Sequence, residues 1–212
     1  MLAAVRALRR ETLLGFDTET RPSFQKGETH PPALIQLAGK DAVYLFHLPG
    51  LGLPAELTDL LTDARIVKAG VANDRDLREL RGLRDFAPRG FVDLGECAAA
   101  YGIPHQGLRG LAAVLLGCRI SKGARFTNWE RTDLDDRALQ YAATDAWIGR
   151  RIYEALQAAG CLGSGPRQAE SPSGPSGRGL WHRAKAALAR AIGRTRRGTV
   201  QPKDTPAARH GK

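Results

Sequence analysis

The sequence predicts an α/β domain, a mixed sheet flanked by helices, followed by a flexible basic tail, and three observations lead there. Apolar runs of strand length come first, joined by turn residues; strand and helix patterns then alternate, and helical patterns fill the chain to residue 158. That order is expected of a mixed sheet with helices on its faces. The composition breaks after Gly160, where Gly, Ser and Pro become abundant. Charge divides at the same place: of 32 Lys/Arg and 22 Asp/Glu, 11 and 2 lie from Cys161 onward, so nearly all of the net charge of +10 belongs to the tail.

Residues 1–10 read as a short helix, with Leu2, Val5 and Leu8 at helical spacing. A first strand follows at about 12–18. The stretch Arg21 to Pro32 is polar and rich in Pro and Gly, and predicts a loop. Ala33 to Ala38 and Ala42 to Phe46 form two strands around the turn Gly39-Lys40-Asp41, so the sheet should begin antiparallel. After Pro54 the pattern is helical, with Leu57, Leu60 and Leu61 on one face. Arg65 to Val71 is a strand, and Asn73 or Asp74 can cap the helix that carries Asp76, Leu77 and Leu80. A short strand, Gly90-Phe91-Val92, ends in Asp93, and helices are expected over Leu94–Tyr101, Leu108–Leu116 and about Asp136–Ala158.

These elements place one folded domain over residues 1–160, long enough to bury a substantial core. Residues 161–179 form a flexible Gly/Ser/Pro linker, and 180–212 a basic tail in which Leu180 to Arg197 can form an amphipathic helix and the last dozen residues are expected to lack structure. No apolar run approaches the ~20 residues needed to cross a bilayer. The first ten residues are too short and too poor in contiguous apolar residues for a signal peptide, so a cytoplasmic location is expected. Three cysteines, Cys97, Cys118 and Cys161, lack metal-ligand spacing and fit a reducing compartment as small buried hydrophobes. A near-neutral body with a basic extension implies a polyanionic partner, nucleic acid or a membrane surface.

The chemistry concentrates in a few carboxylates. Asp17 and Glu19 end an apolar run one residue apart, and on a strand they project from the same face, roughly 6–7 Å apart. Two adjacent anions at the end of a buried strand are unfavourable without a cation between them, and a divalent ion with oxygen ligands is the usual solution; a fraying strand end is the plainer alternative. On the long helix Tyr141 and Asp145 stand four apart, on one face, with Cβ atoms roughly 5–6 Å apart. Asp145 sits between Ala and Trp147 on a helix that otherwise reads as buried, and faces the same desolvation problem. Asp76, in the first turn of a helix entered from a strand, can add a fourth oxygen donor, though an acid is favourable there anyway.

Taken in order, Asp17-x-Glu19, then Gly70-Val71-Ala72-Asn73-Asp74-Arg75-Asp76-Leu77-x-x-Leu80, then Tyr141-x-x-x-Asp145 resemble the three exonuclease motifs of the DEDD superfamily, tyrosine subclass. Ribonuclease D, the Werner-type exonuclease domain and the proofreading domain of A-family DNA polymerases belong to it. The stretches Pro31-Pro32-Ala33-Leu34-Ile35-Gln36-Leu37 and Asn128-Trp129-Glu130 are similar to the family as well, and the resemblance covers about residues 10–158.

The resemblance implies a ribonuclease-H-like fold with a five-stranded mixed sheet, and a metal-dependent 3′-5′ exonuclease that releases nucleoside 5′-monophosphates. It implies that Asp17, Glu19, Asp76 and Asp145 hold two divalent ions, Mg²⁺ or Mn²⁺. Asp17 would bridge both, Glu19 and Asp145 would complete the nucleophile-side site, and Asp76 would hold the second ion, directly or through water. Tyr141 would orient the attacking water. An all-oxygen donor set suits those ions better than zinc.

The chain departs from the family pattern at Ala72 and polar Asn73 in the second motif, and at Ala138, near a position often held by glutamine, with Gln140 displaced. Asp74 is the runner-up to Asp76. Asp93 reads as an N-cap, and Asp133, Asp135 and Asp136 as capping and solvated charge. His30, His47 and His105 have no partners at ligand spacing and default to loop or surface roles; Trp129 and Phe126 read as core ahead of base-stacking platforms. Arg21, Lys26, Lys122 and Arg125 flank the motifs and are candidates for substrate phosphates. DNA or RNA 3′ ends are the expected substrate, with the tail adding contacts to nucleic acid ahead of a membrane surface. Two rivals are a catalytically silent nucleic-acid-binding module of the same fold and a hydrolase of mononucleotides or small phosphoesters.

Overall fold

A computed structural model describes residues 1–121, 123–124, 126–162 and 208–210. Helix α1 (Leu2–Leu8) leads into β1 (Leu13–Thr20), β2 (Pro32–Ala38) and β3 (Val43–His47), followed by α2 (Ala55–Leu61), β4 (Val67–Gly70), α3 (Asn73–Leu83) and β5 (Phe91–Asp93). Helices α4 (Leu94–Ala100) and α5 (Leu108–Leu111), a π-helical segment (Ala112–Leu116) and the long α6 (Asp136–Ala158) complete the body. All five expected strands are present, in the order β5-β4-β1-β2-β3, with β1, β2 and β3 antiparallel and β4 and β5 parallel to their inner neighbours. A three-residue strand, β6 (Ala208–His210), pairs in parallel with the outer edge of β3, within the dozen residues expected to lack structure. The linker 163–179 and the amphipathic helix expected over 180–197 lie outside the described residues.

The period of two in β1 sorts its residues between the faces. Leu14 and Phe16 enter the core formed with α1 and α2, while Leu13 and Gly15 face the helices on the other side, α6 foremost. Helix α6 lies unusually close to β1. A Cβ on Gly15 would stand 1.9 Å from the Ala146 carbonyl oxygen, so glycine is required at that crossing. The helix supplies matching small residues, with Ala142, Ala143, Ala146 and Gly149 all buried. Asp135 caps its N-terminus by accepting from Ala138 N at 2.7 Å. Buried Arg150 fastens it to the start of β1 by donating to the Leu13 carbonyl, with Glu11 at 3.5 Å and Glu154 at 3.2 Å.

The single helix expected over Leu108–Leu116 is instead one α-turn that widens into a π-turn, ended by Gly117 in the left-handed region at φ +67°. The 3.6-residue spacing of its leucines does not distinguish the two windings. Among the described residues, no helix is long and apolar enough to cross a membrane.

Candidate functional site

The close crossing of α6 over β1 determines where the acids meet. The first four residues of β1 are buried and the last four only half-buried, so Asp17 and Glu19 emerge where the strand leaves the core. A register shift between Glu19 and Thr20 ends the regular pairing with β2. Immediately before Ala146, which packs on Gly15, α6 presents Asp145 and, one turn earlier, Tyr141 toward that same strand end. Carboxylate oxygens of Asp17, Glu19 and Asp145 all lie within 4.8 Å of one another.

Asp76 stands outside this tight triad, half-buried in the first turn of α3, yet its charge reaches both Asp17 and Glu19. Asp74, the alternative, is exposed. The turn that sets this register also accounts for the departures in the second motif. A Cβ on Gly70 would fall 2.2 Å from Asn73 Oδ1 and 2.7 Å from the Phe16 carbonyl oxygen, and Ala72 adopts a left-handed conformation at φ 57°. Asn73 is buried and donates through Nδ2 to the Val92 carbonyl oxygen at 3.1 Å, while its N–H reaches Asp93 Oδ2 at 3.3 Å. Polar Asn73 therefore ties the start of α3 to β5. Asp93 also caps α4, as expected, through Gly95 N at 2.8 Å and Glu96 N at 3.0 Å.

The electrostatics record the crowding. Burial, then the charges of Asp145 and Asp76, raises Asp17 well above the ordinary carboxylate range. Burial and the neighbouring Asp17, Asp145 and Asp76 push Glu19 up to about 9. Burial raises Asp76 to about 6, and Asp145 also to about 6 against the opposing pull of the Tyr141 hydroxyl and Arg109. The Tyr141 phenol is raised by burial and then by Asp145 and Glu19, so it stays protonated at neutral pH. Asp145 Oδ1 is buried without a hydrogen-bond partner among the described residues. A nest of oxygen donors with excess negative charge and an orphaned buried carboxylate oxygen fits hard divalent cations.

The cleft above the acids has a volume of about 500 Å³ and is lined by Asp17, Asp145, Val71 and the turn His105–Gly110. Arg109, which no sequence motif marks, stands in it. Its Nη2 donates to the Tyr141 hydroxyl oxygen at 3.3 Å and to the Ser121 carbonyl oxygen at 3.4 Å. No local pattern announces this residue, since its partner is 32 positions away and the contact exists only in the folded chain.

The remaining candidates take structural positions. Trp129 is fully buried and lies against Tyr141, ring centroids 6.3 Å apart at 30°, so it supports the phenol and is core as expected. His47 meets the Trp129 carbonyl oxygen at 3.1 Å. His30 pairs with Glu28 at 2.9 Å and Glu130 at 3.8 Å, and Arg21 pairs with Glu130 at 3.2 Å, joining the loop after β1 to the segment before α6. Arg21 is thus engaged by a carboxylate. Phe126, expected in the core, is 65% exposed. Lys26 is exposed in the loop. Lys122 and Arg125 lie outside the described residues.

A family profile described as 3′-5′ exonuclease matches residues 1–160. The chain is 34% identical over 161 residues to a ribonuclease D of Gluconacetobacter diazotrophicus, covering 74% of this chain and 40% of that protein. It is 34% identical over 157 residues to the mouse bifunctional 3′-5′ exonuclease/ATP-dependent helicase WRN, covering 68% of this chain and 11% of that one. The chain thus spans less than half of either relative. The crystal structure of Escherichia coli RNase D superposes with a TM-score of 0.64 at 21% identity, over 90% of this chain and 48% of that one, which bears out the ribonuclease-H-like fold.

Proposed function

The chain belongs to the 3′-5′ exonuclease family, and from that premise we propose that it shortens DNA or RNA strands from their 3′ ends, releasing nucleoside 5′-monophosphates with the help of two divalent ions, Mg²⁺ or Mn²⁺. The observation that carries this reading is the convergence of Asp17, Glu19 and Asp145 oxygens within 4.8 Å, beside Asp76 and Tyr141. Asp17, Glu19, Asp145 and Asp76 would hold the ions. Ions held there would supply polarisation of the scissile phosphate, a water acidified toward neutral pH and stabilisation of the departing 3′ oxygen.

The chain's own residues do the rest. Tyr141, held protonated by its buried and anionic surroundings, donates a hydrogen bond and so orients the attacking water. Water attacks phosphorus in line, the P–O3′ bond breaks, and the 3′ oxygen leaves with a proton. The cleft over Asp17 and Asp145 is where the terminal nucleotide would sit. The tail from residue 180, of which only 208–210 are among the described residues, supplies positive charge suited to the rest of the strand, which predicts salt-dependent affinity. A silent binding module has no use for three carboxylates crowded within 4.8 Å, one with an orphaned buried oxygen and a fourth acid beside them, so the catalytic reading is the stronger of the two.

The test is a time course with 5′-labelled single-stranded and 3′-recessed DNA and RNA in Mg²⁺, Mn²⁺ or EDTA. A ladder shortening from the 3′ end with metal and absent in EDTA is expected. Binding without cleavage under every condition would leave the module reading in its place.

A further inference from the structure

Tyr141 is fixed in position but not, by its ring contacts, in the direction of its proton. Trp129 holds one side of the ring, and α6 holds the backbone. A phenol hydroxyl can still rotate its hydrogen between orientations, because the oxygen both donates and accepts. Two neighbours settle the choice, Asp145, which accepts from the hydroxyl, and Arg109, which donates to it from the other side. A guanidinium has five N–H donors and no acceptor, so the contact at 3.3 Å must be accepted by the phenol oxygen. The phenol proton is then directed away from Arg109, toward Asp145 and the reacting centre.

Arg109 is itself held in place. The Ser121 carbonyl oxygen accepts from the same Nη2 at 3.4 Å, fastening the side chain to the segment beyond the π-turn. The backbone of α5 is seated closely, since a Cβ on Gly110 would stand 2.5 Å from His105 Cβ, and His105 itself sits at φ 71°. Arg109 is half-buried at the wall of the cleft that also exposes Asp17 and Asp145.

We propose that Arg109 is a positioning residue of the exonuclease, fixing the hydroxyl of Tyr141 so that its proton is turned to the Asp145 side of the site, where the attacking water would lie; this rests on the function assigned above. Lysine keeps the charge, but its freely rotating ammonium lacks the planar guanidinium that fixes the two N–H donors of Nη2 on Tyr141 and Ser121.

The experiment compares the unaltered chain with Arg109→Ala, Arg109→Lys, Tyr141→Phe and the double variant Arg109→Ala/Tyr141→Phe. Single-turnover and steady-state digestion of a labelled oligonucleotide are followed, with oligonucleotide affinity in Ca²⁺ and melting temperature measured alongside. Arg109→Ala should lower kcat roughly 10–100-fold, the worth of one charge-assisted hydrogen bond, with KM, affinity and melting temperature unchanged. The double variant should be no slower than Tyr141→Phe alone. Added guanidinium should restore part of the rate to Arg109→Ala and none to the double variant. Arg109→Gln, shorter but unbranched at Cβ and polar, takes the place of alanine if the latter unfolds, with the same expectations. Effects that multiply in the double variant, a raised KM with kcat intact, or an unchanged kcat would each overturn the proposal while the exonuclease reading stood. An unaltered chain that digests nothing would overturn both.

Discussion

Lys68, on the face of the sheet that packs against α1 and α2, is as buried as the leucines around it, and its ammonium is met on every side the core allows. It donates to the Asp63 carbonyl oxygen at 2.8 Å and the Leu60 carbonyl oxygen at 3.5 Å, and lies 5.2 Å from the centre of the Phe91 ring. On the opposite face, Asp17, Glu19 and Asp145 crowd together, joined electrostatically by Asp76, and Asp145 Oδ1 finds no partner among the described residues. Burial pushes both sets toward neutrality, Lys68 down to about 8 and Glu19 up to about 9. The difference is in what the fold provides. A buried charge that serves packing arrives with its partners, whereas buried charges that serve chemistry are left wanting one.

The largest expected effect of altering either face is at Asp145. Asp145→Asn should cut the digestion rate by at least ~10²-fold, since a group that stabilises transition-state charge is lost. The same change should raise the metal-free melting temperature, because it relieves repulsion within the triad. An Asn variant that keeps its activity, or one that melts lower in EDTA, would erase the contrast with Lys68.

A second difference concerns pH, and the two faces carry opposite signs. Asp76 and Asp145 at about 6 and Glu19 at about 9 titrate above the ordinary carboxylate pKa of ~4. The folded, metal-free state therefore binds the extra protons, and stability falls as pH rises from ~4 through these values. Lys68, at about 8 against an ordinary value of ~10.4, titrates below its unfolded value, so its contribution is present at high pH and lost as pH falls through 8. Melting curves in EDTA should show the acidic branch, flattened by Mn²⁺ in the unaltered chain. The alkaline rise should disappear in Lys68→Met, which replaces the ammonium with an apolar group of similar length.

The smallest effect sharpens the register of the second motif. Asp74→Asn, at an exposed position, should leave digestion unchanged and shift stability by no more than ~0.5 kcal/mol. Asp76→Asn should slow digestion strongly. Equal losses from the two changes would mean that α3 presents a different acid to the triad.

Much of this was legible in the sequence because it is local. Period-two projection pairs Asp17 with Glu19, helical spacing pairs Tyr141 with Asp145, and the long helix spans the expected Asp136–Ala158, with Asp135, one of three acids read as capping or solvated charge, at its N-cap. Asp76 was legible chiefly through resemblance, since an acid in a first helical turn needs no metal to explain it. Arg109 was not legible, because its contact joins segments remote in sequence. Gly15 offered a signal that went unused: glycine inside an apolar strand marks a close backbone approach, and here that approach brings α6 onto β1. Asn73 looked like a departure from pattern and proved to be the tie between α3 and β5.

The central claim is that the crowded acids exist to hold divalent cations. Titrating the full chain with Mn²⁺ at neutral pH, with the free ion followed by electron paramagnetic resonance, tests it without relying on any substrate. The account predicts two bound ions, with binding lost in Asp17→Ala and retained in Asp74→Asn. No binding in the unaltered chain, or binding untouched by Asp17→Ala, would contradict it.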